Sequence, residues 1–189
     1  MTTHVFHNGH VLTERGFERD VCVVVEDGFI VALLHGEPPA GDLVDLDGGY
    51  LVPGFIDAQV NGGGGVLFNN DTSVDAINAI GRAHRRFGTT GFLPTLISDD
   101  AAVMQRAITA TRDAIEQGVP GVLGIHLEGP YLAPARKGTH DDAKFRVPDA
   151  DEIAMATSLD NGISLLTLAP ERVPTESILA IVQRGGIVT

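Results

Sequence analysis

The sequence has no tryptophan, only two tyrosines and a single cysteine, Cys22. One thiol allows no internal disulfide, so the fold must rest on packing and hydrogen bonding alone. Positive charge is scarce as well, with 13 Lys and Arg against 25 Asp and Glu, a formal charge of -12 and a pI near 4.8. That balance disfavours a broad nucleic-acid or anionic-membrane surface, and any anionic ligand must be held by a local basic site. No apolar run approaches the ~18 residues that span a bilayer. The start Met1-Thr2-Thr3-His4 has neither a basic nor an apolar leader region. The expectation is a cytoplasmic protein without nucleic-acid or membrane partners. What is present is ordinary for a folded chain: 189 residues, 43% hydrophobic and 20% charged, enough for one domain or one domain with a small addition.

Two patterns divide the chain. Up to about Gly49 the apolar runs are short and β-branched, with Asn8-Gly9 and Asp27-Gly28 between them. Both dipeptides tolerate positive φ and predict hairpins, so residues 1–50 read as a small all-β domain. From residue 51 onward apolar strands alternate with amphipathic helices. Strands are predicted over 51–57, 91–97, 122–128 and 164–169, with another beginning at Gly186. A helix capped at Thr72-Ser73 should present Ile77, Ile80, His84 and Phe87 on one stripe and end at Gly88. A second, capped at Asp99-Asp100, should turn Val103, Ala107, Thr111 and Ala114 inward and end at Gly118. Others follow Asp149 and Pro174. Apolar strands alternating with helices indicate an α/β fold with a parallel sheet, either doubly wound or a barrel. A (β/α)8 barrel takes ~250 residues, so residues 51–189 would be its first half, ending at the fifth strand.

Polar residues interrupt the apolar strands at two places. Asp57, Gln59 and Asn61 alternate along one strand and its exit, and His126 and Glu128 do so along another. Buried imidazole and carboxylate groups are costly unless hydrogen-bonded, ion-paired or metal-bound. Polar residues at the C-terminal ends of parallel strands usually belong to sites, which favours a functional role for His126 and Glu128 over a satisfied pair inside the sheet. Asp57, Gln59 and Asn61 read equally well as a polar strand terminus. Arg136-Lys137-Gly138-Thr139-His140 is the one locally basic stretch and suits an anionic group, although by itself it reads as a solvated loop. His4, His7 and His10 read as surface histidines and Cys22 as a small buried residue. Gly62 to Gly65 lacks the Lys and Ser or Thr of a phosphate loop.

Pro53-Gly54-Phe55-Ile56-Asp57 after a small β domain resembles the first barrel strand of the amidohydrolase superfamily. Within it the chain is similar to the deacetylases of amino-sugar phosphates. The motifs that carry the resemblance are Gln59-Val60-Asn61-Gly62-Gly63-Gly64-Gly65, Pro94-Thr95-Leu96-Ile97, His126-Leu127-Glu128-Gly129-Pro130-Tyr131, Lys137-Gly138-Thr139-His140 and Thr167-Leu168-Ala169-Pro170-Glu171. They recur in order over essentially the whole chain.

The resemblance implies a TIM-type barrel preceded by a small β-sandwich-like domain, both incomplete in this chain. The implied activity is metal-dependent hydrolysis of N-acetylglucosamine 6-phosphate to glucosamine 6-phosphate and acetate. Glu128 would be a metal ligand, and Gln59 and Asn61 stand where many amidohydrolases have a His-x-His pair. That departure implies one divalent ion, zinc or iron, with Gln59 near the vacant second position. Thr139 and His140 would touch the substrate, with Asn61 and Lys137 as further candidates. Two histidine ligands and the aspartate that acts as general base and acid would lie beyond Thr189. No general acid or base is therefore expected within these residues, and a homodimer is implied for the intact enzyme. The rival readings are an inactive or merely sugar-phosphate-binding fragment, and another amidohydrolase acting on a cyclic amide or a dipeptide.

Overall fold

The computed structural model describes residues 2–189, which group into two compact units, residues 2–53 and 54–189. The first unit contains β1 (Thr3–His7), β2 (His10–Thr13), β3 (Gly16–Glu18), β4 (Val21–Glu26), β5 (Phe29–His35), β6 (Asp42–Asp45) and β7 (Tyr50–Leu51). They form a four-stranded sheet in the order β5-β4-β1-β6 and a three-stranded sheet in the order β3-β2-β7. Val5, Cys22 and Val24 are buried in one cluster and Val11, Val21 and Val23 in another.

The two glycine dipeptides have different roles. Asp27 and Gly28, at φ 48° and 86°, join the antiparallel pair β4 and β5, the hairpin their chemistry predicts. Asn8-Gly9 makes no hairpin, because β1 pairs with β4 and β6 while β2 pairs with β3 and β7. It carries the chain from one sheet to the other. Asn8 takes φ 56°, its amide donates to the Asp45 carboxylate at 2.7 Å, and a Cβ on Gly9 would lie 2.6 Å from Leu46. Close backbone approach, not turn geometry, is what requires glycine there.

The second unit holds β8 (Phe55–Val60), β9 (Gly62–Gly63), β10 (Val66–Leu67), α1 (Val74–Arg85), β11 (Thr89–Ile97), α2 (Ala101–Glu116), β12 (Gly124–Glu128), α3 (Ala150–Ala156), β13 (Ile163–Thr167), α4 (Thr175–Gln183) and β14 (Ile187–Val188). The expected strand over 51–57 is thus two strands: β7 ends at Leu51, and β8 begins only after Val52-Pro53-Gly54. Proline at 53 offers no N–H to a ladder.

The main sheet has the order β14-β13-β12-β11-β8 with every neighbouring pair parallel. Each strand is laid beside its predecessor without reversal. A doubly wound sheet reverses direction at a switch point, so this succession is that of a barrel wall.

Ser73 caps α1 through its Oγ, which accepts from the Ala76 N–H at 3.1 Å, and Asp149 caps α3 in the same way. Phe87 does not join the inward stripe of α1. The helix ends at Arg85, and Phe87 lies 78% exposed. In α2, Met104, Ala107, Ile108, Thr111 and Ala114 are buried, while Val103 packs at the margin.

Alternation gives the sheet two faces. Leu96, Leu127 and Leu166 sit in register as one row, all buried, in a cluster with Ile77 and Ile80 of α1, Ile108 of α2, Ile153 of α3 and Ile181 of α4. On the opposite face Thr95, His126 and Leu165 form one row and Ile97, Glu128 and Thr167 the next, at the C-terminal ends of the strands. No described helix is long and apolar enough to cross a membrane.

Candidate active site

The polar face is wired from strand to strand. Thr95 Oγ1 accepts from the Val60 N–H at 2.9 Å and lies 3.4 Å from His126 Nδ1. On the other side His126 Nε2 lies 2.8 Å from Thr167 Oγ1. Thr95 is wholly buried and His126 is 3% exposed, so these hydroxyls are the partners the imidazole finds in place of water. Burial holds the His126 pKa below its ordinary value, against the opposing influences of the Glu128 charge and a backbone hydrogen bond at Ala58.

One row further on, the site opens. Glu128 ends β12 and is partly buried, and its Oε1 lies 3.6 Å from Nε2 of His140. His140 comes from the loop after β12 and is buried, with Nδ1 turned to Ser98, the first residue after β11. The loop is pinned where it leaves and where it returns. The Arg146 N–H donates to the Pro130 carbonyl. The Arg146 guanidinium reaches Glu152 and the Asp99 carbonyl. Lys144 pairs with Asp100 at the start of α2, where the sequence suggested a side-chain cap and the structure has none.

The structure brings His140 Nε2 within 3.6 Å of Glu128, and the other candidates stand apart from this pair. Lys137 is exposed and committed to Asp142 at 2.9 Å, and Thr139 is exposed. Gln59 is exposed, and its backbone N–H donates to Asp57 Oδ1. Asn61 has a buried side-chain nitrogen with no hydrogen-bond partner. Among the described residues no side-chain hydrogen bond or ion pair links Gln59, Asn61, Lys137 or Thr139 to Glu128 or His140, although the His140 backbone N–H donates to the Lys137 carbonyl at 3.0 Å.

Three further residues shape the site. Ser98 holds His140. Asn69 binds Ile97 through both its amide N and O and also donates to Asp99, fixing the exit of β11. Arg146 anchors the loop. Each has a polar side chain in a loop, and only tertiary contact distinguishes it from a solvated one; the sequence carries no signal for Ser98 or Asn69.

No group of three His, Cys, Asp or Glu side chains among the described residues is arranged to hold a metal ion. A catalytic zinc takes about three protein ligands. The Glu128 carboxylate fits one position of such a site and not the whole of it, and the orphaned Asn61 amide nitrogen is a donor that suits a substrate oxygen, not a metal.

The chain belongs to the amidohydrolase family, whose pattern it matches over residues 50–183. Enzymes of that family are generally metal-dependent. The chain is 42% identical over 183 residues to an N-acetylgalactosamine-6-phosphate deacetylase of Shewanella sp. (strain ANA-3), covering 95% of this chain and 46% of that protein. It is 32% identical over 184 residues to the N-acetylglucosamine-6-phosphate deacetylase of Haemophilus influenzae, covering 94% and 47%. In three dimensions it superimposes on the crystal structure of N-acetylglucosamine-6-phosphate deacetylase from Pasteurella multocida with a TM-score of 0.92 at 33% identity, over 98% of this chain and 50% of that one. A Mycobacterium smegmatis N-acetyl-D-glucosamine-6-phosphate deacetylase mutant, solved with N-acetyl-D-glucosamine-6-phosphate, gives 0.87 at 27% identity, over 100% of this chain and 49% of that one. The chain therefore spans about half the length of the relatives it matches. Those neighbours bear out the expected class, a TIM-type barrel with a small additional domain.

Proposed function

We propose that this chain carries part of the active site of a deacetylase that hydrolyses N-acetylglucosamine 6-phosphate to glucosamine 6-phosphate and acetate. The observation that supports it most is the buried His140 with Nε2 3.6 Å from the Glu128 carboxylate, at the C-terminal end of a parallel strand. That is the end at which barrel enzymes place their chemistry. In the reaction, water adds to the acetamide carbonyl carbon, the C–N bond breaks, and the nitrogen leaves as the amine with the proton the water gives up. One divalent ion, zinc or iron, would supply a water of lowered pKa and polarise the carbonyl.

Glu128 would hold that ion with a full negative charge, and Gln59 would lie near a second position. His140 would donate from Nε2 to the substrate, with Thr139 beside it. Asn61 would turn its unpartnered amide to a substrate oxygen, and Lys137 would exchange Asp142 for the phosphate. The remaining metal ligands and the general acid and base would come from outside the described residues. The reading extends to a cytoplasmic homodimer acting on this small molecule.

The 42% identity to an N-acetylgalactosamine-6-phosphate deacetylase favours a second reading, the same reaction on the 4-epimer. Acetate release from both sugar phosphates by the full-length protein, metal-stripped and then reloaded with zinc or iron, tests the two together. Metal-dependent release is expected, and the preferred epimer identifies the substrate. The 189-residue chain by itself should release none above background, since it holds one ligand position. No acetate from either sugar by folded, metal-loaded full-length protein would contradict the proposal.

A further inference from the structure

We propose that Ser98 is a positioning residue that fixes the tautomer of His140, holding the ring proton on Nε2. Two groups of Ser98 converge on His140 Nδ1: the hydroxyl oxygen at 2.7 Å and the backbone N–H, which donates at 3.4 Å. An amide N–H can only donate. A proton on Nδ1 would face it hydrogen to hydrogen, so Nδ1 presents its lone pair and the Ser98 hydroxyl donates to it as well. The ring proton is then left on Nε2, on the side of Glu128. Ser98 is 7% exposed and His140 8%, so water does not substitute for either donor.

A second observation shows that room is kept for this hydroxyl. A Cβ on Gly129 would stand 2.3 Å from Ser98 Oγ, and Gly129 takes φ 82°, where a side chain is disfavoured in any case. The glycine that follows Glu128 thus lets the hydroxyl sit against the ring.

The consequence for chemistry rests on the deacetylase reading; the tautomer does not. An N–H at Nε2 donates to a carboxylate, an acetamide oxygen or a phosphate oxygen, whereas a lone pair there repels all three. Ser98 would not touch substrate. It would act by turning His140 into a donor.

The test is nitrogen NMR of the full-length protein labelled at histidine, with the His140 signals assigned by their loss in His140→Gln. The expected spectrum shows an unprotonated Nδ1 and a protonated Nε2. Ser98→Ala removes the nearer contact at 2.7 Å and leaves only the long backbone donor at 3.4 Å, so the Nδ1-protonated tautomer should appear beside the first, and Ser98→Thr, which keeps the hydroxyl, should suppress it again. If Ser98→Ala does not fold, Ser98→Cys keeps the volume with a weaker donor and should show the same mixture. Acetate release is the parallel readout: kcat should fall roughly tenfold in Ser98→Ala and recover in Ser98→Thr. A wild-type ring protonated at Nδ1, or a tautomer indifferent to the loss of the hydroxyl, overturns the proposal. A fixed Nε2–H ring in a protein that releases no acetate leaves the proposal standing and overturns the deacetylase reading instead.

Discussion

Leu165 and Leu166 are neighbours on β13 and face opposite ways. Leu166 is wholly buried under the helices, in register with Leu127 and Leu96, whereas Leu165 is only partly covered and shares its row with His126 and Thr95. The same five strands therefore build two unlike surfaces. One is held together by apolar area and close packing. The other is held by hydrogen bonds that run from Val60 through Thr95 and His126 to Thr167, with Glu128 and His140 paired one row further on. The apolar face specifies the fold, and on the polar face the buried Thr95 and His126 are tolerated because each has a partner.

The largest expected effect sharpens this contrast. In the 189-residue chain, Leu166→Ala should cost about 3 kcal/mol of unfolding free energy and Leu165→Ala about 1 kcal/mol, measured by urea titration. Equal losses would show both faces to be packed alike and break the comparison. A smaller effect probes the polar face. Thr167→Val keeps shape but leaves His126 Nε2 without its 2.8 Å partner, which should lower stability by about 1 to 2 kcal/mol. An unchanged urea midpoint would show that the hydrogen bond does not hold the imidazole.

Much of the apolar face was legible in the sequence, because it follows from local pattern alone. Apolar runs placed Leu127 and Leu166 in strands, and Ser73 with Gly88 bracketed α1. What escaped was whatever depends on contact between distant segments. Asn8-Gly9 has the chemistry of a hairpin, yet its glycine serves a close approach to Leu46, which lies far along the chain. Phe87 continues the stripe of α1 by spacing but falls past the last helical turn. The sequence also ran β7 and β8 together, since both are apolar and only Pro53 separates their ladders.

In the site the division is the same. His126 and Glu128 stood out because charged or imidazole side chains in an apolar strand are costly unless they have partners, whereas His140 came from the basic loop and the family resemblance. Ser98 and Asn69 did not, since a serine or asparagine in a loop is ordinary until its partner is known. Lys137 stood out for its charge, and the structure ties that charge to Asp142.

The claim that the polar face ends in a catalytic metal site is tested most directly through Glu128. Glu128→Gln keeps the shape of the side chain and removes the ligand's charge. In the full-length protein, metal content and acetate release should fall together, by at least the roughly 10- to 100-fold that even outer partners of a metal site command, while the urea midpoint of the metal-free protein stays in place. Full metal occupancy with an unchanged rate of acetate release in Glu128→Gln would contradict the account.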